Sequence, residues 1–136
     1  MSDKVKDILS KYKTIAMVGV SKDDRKPSTI VMRHMQEYGF KVIPVNPRAK
    51  GEKILGEEVF AKLENIKTPV DIVDVFRPSE EAEEIANQTI KVGASVLWLQ
   101  LDIQSEKARD IVMNNKIYYI ANKCTKIEFE RLFRGI

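Results

Sequence analysis

The sequence predicts an α/β fold: a doubly wound, parallel five-stranded sheet with an extra N-terminal helix. Three observations carry that prediction. Apolar runs alternate along the chain with stretches of helical periodicity, which argues for right-handed crossovers between parallel strands. One run, Ala94-Ser95-Val96-Leu97-Trp98-Leu99, is apolar enough to be buried on both faces. The first run, Thr14-Ile15-Ala16-Met17-Val18, stops at Gly19, and a polar loop separates it from the apolar pattern resuming at Ile30 and Val31.

Taken in order, residues 2–12 place Val5, Ile8, Leu9 and Tyr12 at i, i+3, i+4 and i+7, one face of a docking helix with Ser2 available as N-cap. The first strand follows over 14–18, then a helix over about 28–38 that Gly39 ends. Residues 40–45 form the second strand, and Asn46-Pro47-Arg48 turns the chain directly after it. Pro44 has no N–H for a ladder, so it is expected near the strand's end, where pairing gives out. A short extended piece over 53–55 and a short helix over 57–63, with Val59, Phe60 and Leu63 inward, fill the next connection. The third strand covers 70–76 and is closed by Arg77-Pro78. Ser79 caps a helix reaching Val92, with Glu80 and Glu81 in its first turn, where the dipole favours acids, and Ala82, Ile85, Ala86 and Thr89 or Ile90 facing in. After the fourth strand, 94–99, come Gln100, a helix over 105–114, a short strand over 117–120 and a last helix over 125–133. The expected strand order is 3-2-1-4-5.

The 136 residues make one domain, 1–136, with no second domain expected. Apolar residues are 43% and charged residues 32% of the chain, as in an ordinary globular protein, and no apolar run approaches the roughly 20 residues that span a bilayer. No signal-peptide core follows Met1, so a cytoplasmic location and no membrane partner are expected. A single Cys124 and a single His34 exclude an internal disulfide and make an all-protein zinc cage implausible. The net charge is +3, but cations are scattered among acids, so no nucleic acid partner is expected. A homodimer or another protein partner is compatible with all of this.

The loop from Gly19 to Ser28 holds the parts of an anion site. Gly19 permits close backbone approach, Ser21 and Ser28 offer hydroxyls, Arg25 and Lys26 offer charge, and a helix N-terminus supplies free N–H groups. In doubly wound sheets ligands bind beyond the strands' carboxyl ends, where the winding reverses. Gly19 to Ser28, Asn46 to Arg48, Phe76-Arg77, Gln100 and Asn122 to Cys124 all lie at such ends and are expected to converge on one cleft.

A dinucleotide fingerprint needs G-x-G-x-x-G here and an acid after the second strand to hold a ribose diol. Gly19 stands alone, Ser21 occupies the second position, and Asn46, Pro47 and Arg48 follow the second strand. NAD is therefore disfavoured. Arg48 and Lys50 suit a ribose carrying an extra phosphate, which leaves NADP and coenzyme A.

The chain resembles the CoA-binding protein family, stand-alone relatives of the nucleotide-binding domain of the succinyl-CoA synthetase α subunit. The residues that carry the resemblance are Val18-Gly19-Val20-Ser21, Arg25-x-Pro27-Ser28, Gly39-Phe40-x-Val42-Ile43-Pro44-Val45-Asn46-Pro47, Asp71-x-Val73-Asp74-Val75-Phe76-Arg77, Leu97-Trp98-Leu99-Gln100 and Asn122-x-Cys124-x-x-x-Glu128. The resemblance implies a Rossmann-like domain that binds coenzyme A without catalytic apparatus. It implies that Gly19, Val20, Ser21, Arg25 and Ser28 hold phosphates, that Asn46, Pro47 and Arg48 border the adenosine end, that Phe76 and Arg77 line the cleft, and that Gln100 closes its floor. The synthetase's catalytic histidine lies in a further domain with no counterpart here.

Simpler roles stand beside these. Arg25 has Asp23 and Asp24 as neighbours, Arg77 has Glu80 and Glu81, and His34 reads as a helix-packing or surface residue. Trp98 reads as core. Asp71 and Asp74, three apart on a strand, face opposite ways and form no acid/base pair; Asp71 is placed at the rim. Cys124 precedes Thr125-x-x-Glu128, a capping-box pattern, and reads as structural, although Lys123, Lys126 and the helix start would activate its thiol. The expected function is binding of coenzyme A, a small-molecule nucleotide ligand, or an acyl-CoA by a non-catalytic carrier, sensor or regulatory protein. The rivals are an NADP-dependent oxidoreductase, against which stands the lack of a Tyr-x-x-x-Lys pattern, a redox-responsive protein using Cys124, and an interaction module that has lost its ligand.

Overall fold

The structure is a computed structural model that describes residues 3–135. Its elements are α1 (Lys4–Lys11), β1 (Thr14–Val18), α2 (Pro27–Glu37), β2 (Lys41–Val45), a ribbon of β3 (Lys53–Ile54) and β4 (Glu57–Glu58), β5 (Ile72–Val75), α3 (Ala82–Lys91), β6 (Val96–Leu99), α4 (Glu106–Met113), β7 (Tyr118–Ile120) and α5 (Thr125–Phe129). A π-helical turn, Glu130–Arg134, continues α5. Among the described residues no helix is long and apolar enough to cross a membrane.

Five strands form one parallel sheet in the order β2-β1-β5-β6-β7. Counting only those five, the order is 2-1-3-4-5, which corrects the expected 3-2-1-4-5. The third strand adds to the free edge of β1, not to β2. Pro44 supplies the physical reason. The Lys41 N–H donates to Lys13 O, and the Gly19 N–H to Val45 O, so residues 41, 43 and 45 direct their backbone groups at β1. Pro44 therefore turns its missing N–H outward, which makes that side of β2 a poor template for a further strand. A single bridge covers it: the Phe60 N–H donates to Pro44 O and the Asn46 N–H to Phe60 O.

Strand side chains alternate between two cores. Ile15, Met17, Val42, Ile72, Val96 and Trp98 pack with α1, α2 and α5. Ala16, Ile43, Val45, Val73, Val75, Leu97 and Leu99 pack with α3 and α4 on the opposite face. Trp98 is wholly buried, as expected, and its indole N–H donates to Lys123 O at 2.8 Å. His34 projects from α2 onto the C-terminal turn, its Nε2 2.5 Å from Glu130 Oε1.

Three local expectations are corrected. Ser2 lies outside the described residues, and Asp3 holds the first N–H groups of α1, accepting from Val5 and Lys6. No helix forms over 57–63. Leu55 and Gly56 both have positive φ and close a two-residue hairpin between β3 and β4, after which the chain stays extended to reach Val45. Val59 and Leu63 are nevertheless buried and Phe60 half-buried. Neither Ser79 nor Thr125 caps a helix: the Ser79 hydroxyl accepts the Gln104 N–H, and Cys124 is the residue before α5. Glu128, the expected capping-box partner, bonds Arg131 instead.

Candidate functional site

Gly19 is where β1 leaves the sheet. Its φ is +92°, and a Cβ there would lie 2.9 Å from both Phe76 O and Arg77 Cδ. Its own N–H donates to Val45 O at 2.8 Å. The ends of β2 and β5 thus press on one residue from either side, and only glycine tolerates both the backbone angle and the crowding. This is the switch point, with β2 reached on one side of β1 and β5 on the other.

Side chains then stitch two turns together. The Ser21 N–H donates to Ser28 Oγ, the Asp23 N–H to Ser21 Oγ, and the Thr29 hydroxyl to Ser21 O at 2.7 Å. Asn46 ties the neighbouring turn to this loop: its amide donates to Val20 O at 2.8 Å while its Oδ1 accepts the Arg48 N–H at 2.9 Å. At the position where a dinucleotide fold carries a ribose-binding acid, this chain has a structural amide.

Beyond these turns opens a cleft of about 1010 Å³. One wall is the loop of Val18, Gly19, Ser21, Lys22 and Asp23; another is Val45 to Ala49; a third is Ala61 to Glu64. The remaining side is Arg77, Glu81 just before α3, and the face of α3 bearing Glu84, Ile85, Gln88 and Lys91. The lining is rich in charge of both signs. Lys22 pairs with Glu52 at 3.1 Å and Arg77 with Glu81 at 2.6 Å, while Lys62 lies 3.9 Å from Glu64. Among the described residues, Arg48 and Lys91 have no ion-pair partner. The hydrogen bonds from Arg77 hold the Glu81 carboxyl below its usual range and raise the guanidinium above its own.

The structure brings Gly19, Ser21, Asn46, Pro47, Arg48 and Arg77 to the cleft. The other five expected site residues are not among those lining it. Val20 is a core side chain, Ser28 is buried beneath the loop it holds, and Phe76 packs on the α1–α2–α5 core. Arg25 pairs with Asp23, a carboxylate two residues off, Nε to Oδ1 at 3.0 Å, and its side chain is otherwise exposed. Gln100 is buried and does not close the floor. Its amide donates to Asp74 Oδ1 at 2.5 Å and Thr125 Oγ1 at 3.0 Å, and the Thr125 hydroxyl donates to Asp74 Oδ2. Burial pushes Asp74 up to about 7 despite those hydrogen bonds. Asp71 accepts the Lys13 and Thr14 N–H groups at the opposite end of β1, which removes it from the rim. Sequence reading missed the wall from Ala61 to Glu64 and the α3 face, and it did not single out Lys22 within the loop it placed at the cleft. The α3 face was legible as a polar stripe at helical spacing, but only the observed strand order sets it beside Gly19.

The family described as CoA binding domain matches residues 13–130. The chain belongs to this family. It is 34% identical over 123 residues to the uncharacterized protein YneT of Bacillus subtilis, covering 90% of each chain. A solved structure of cell-free ID.343 from Thermus thermophilus is 37% identical, covers 98% of this chain and 100% of that one, and superposes with a TM-score of 0.93. An ADP-forming acetate–CoA ligase of Methanocaldococcus jannaschii is 22% identical over 85 residues, 62% of this chain but 12% of the ligase. The CoA-binding family assignment rests on nearly the whole chain, and the likeness to the ligase on a small piece of a larger enzyme.

Proposed function

We propose that the cleft binds coenzyme A or an acyl-CoA and that the protein is a carrier, sensor or regulatory module without turnover of its own. One observation carries the reading: at the switch point beside Gly19, the cleft offers Arg48 and Lys91, which have no ion-pair partner among the described residues, and the amide of Asn46 stands after β2 where a dinucleotide fold carries its ribose-binding acid. Membership of the CoA-binding domain family supports it. In this reading the missing side chain of Gly19 lets the diphosphate approach the loop beside Ser21, with Val20 and Ser28 holding the loop in shape and Arg25 contributing only long-range charge. Asn46, Pro47 and Arg48 border the phosphorylated adenosine. Phe76 braces the wall on which Arg77 stands, and Gln100 supports it from behind through Asp74. His34, committed to Glu130 away from the cleft lining, supports a binding role over acid–base turnover.

The test is calorimetric titration and thermal shift with coenzyme A, dephospho-coenzyme A, NADPH and NADH. Coenzyme A is expected to bind and to raise the unfolding free energy by about 2.7 kcal/mol at a hundredfold excess over Kd. Dephospho-coenzyme A is expected to bind more weakly, lacking the phosphate that Arg48 meets. Binding of NADPH with no response to coenzyme A would overturn the reading.

A further inference from the structure

The side chain of Arg77 does two things at once. Its aliphatic stem lies flat on Gly19, with Cδ and Cγ 2.9 and 3.2 Å from where a Cβ would be. Its head donates from Nε to Glu81 Oε1 at 3.1 Å and from an Nη to Oε2 at 2.6 Å. Both residues line the cleft and both side chains are nearly half exposed, 47% and 46%. A phosphate and a carboxylate compete for the same planar, two-donor edge of a guanidinium. In the free protein that edge, at the switch point, is already taken by an acid belonging to the chain.

We propose that Glu81 is a counter-anion latch on the cleft: it occupies Arg77 until a phosphate group of the ligand displaces it, so the site favours ligands carrying several phosphates over single ones by a modest factor. The proposal rests on the reading that this cleft takes a phosphorylated ligand, and it adds the residue that tunes that affinity. The stem is pinned against Gly19, so the head pivots without the backbone moving. Exchange costs one exposed ion pair, and a ligand with several negative charges recovers it from Arg77 together with Arg48. A lone phosphate has less to offer against the same carboxylate.

The experiment measures binding of coenzyme A, inorganic pyrophosphate and inorganic phosphate to wild type, Glu81→Gln, Arg77→Gln and the double variant at low ionic strength. The pair is exposed, so all four proteins are expected to fold, with thermal melts as the check. Glu81→Gln is expected to bind coenzyme A, pyrophosphate and inorganic phosphate up to about fivefold more tightly. Arg77→Gln weakens both polyphosphate ligands, and adding Glu81→Gln to it changes nothing further. Unchanged or weaker binding by Glu81→Gln overturns the latch, since the acid then idles or merely orients the arginine. A double variant tighter than Arg77→Gln also overturns it, because Glu81 then acts on the ligand directly. Pyrophosphate tightening on Glu81→Gln while coenzyme A binds no variant leaves the latch standing and removes the coenzyme A reading. Silence from every probe removes both.

Discussion

Gly19 has a left-handed backbone, a hydrogen bond to β2 and a side chain from beyond β5 lying across it. Replacing it with alanine drives a methyl into Phe76 O, a backbone atom that cannot step aside. Gly19→Ala is therefore expected to cost about 2 kcal/mol, the scale of a strained non-glycine backbone, and to lose ligand binding as the loop lifts. Urea melts and titration of the variant check both. That the apolar run stops at a glycine was readable in the sequence. Its partner Arg77 was not, because their contact depends on which strands are neighbours. Arg25 went astray for a local reason: its cation was visible, but so was Asp23, and two residues of separation let the acid claim it.

At the scale of elements, the turn after β2 is joined to the loop after β1 by Asn46 alone among the hydrogen-bonding side chains described above. Asn46→Ala strands the Val20 carbonyl and the Arg48 N–H. It is expected to cost about 1–2 kcal/mol and to weaken coenzyme A binding more than a surface alanine substitution does, because Arg48 loses its fixed position. Denaturant melts paired with titration read the two effects separately. The helices and strands themselves were largely legible, since their periodicities are strong. The stretch over 57–63 was not: Val59 and Leu63 recur at helical spacing, yet the Leu55-Gly56 turn aims the chain along β2, where extended backbone can pair with Pro44 and Val45. Short apolar runs carry both periods, and the preceding turn decides. The capping-box pattern at Thr125 likewise matched in letters only, because the hydroxyl found a buried carboxylate to bond.

For the whole molecule, that carboxylate sets a pH dependence. Asp74 joins β5 to β6 through Gln100 and to α5 through Thr125. Its folded pKa, pushed up to about 7, exceeds the 3.8 of an unperturbed aspartate, so the folded state binds the proton more tightly than the unfolded one. The stabilisation is fully present below about pH 4 and is lost as pH rises through about 7, with an upper bound near about 4 kcal/mol. Acids held low, such as Asp3, Asp23 and Glu81, act the other way and only below their ordinary range, so over pH 5 to 8 the contribution of Asp74 is read as the difference between wild type and an Asp74 variant. Unfolding free energies by urea are expected to fall from pH 5 to pH 8 in wild type and to fall less in Asp74→Asn, whose amide keeps both neighbours bonded at every pH.

The three-layer arrangement was legible from the alternation of runs, while the strand order was not, although Pro44 held it. An outward imino acid marks β2 as a margin of the sheet, and only then does α3 fall beside Gly19 and the cleft acquire its fourth wall. The same ring has a colloidal consequence. A neighbouring molecule seeking to zip its own strand onto this margin meets a gap in the row of donors and a stretch of chain already in the way. At crowded concentrations the mouth beside β2 stays unobstructed by such stacking, and diffusing small molecules keep their route in.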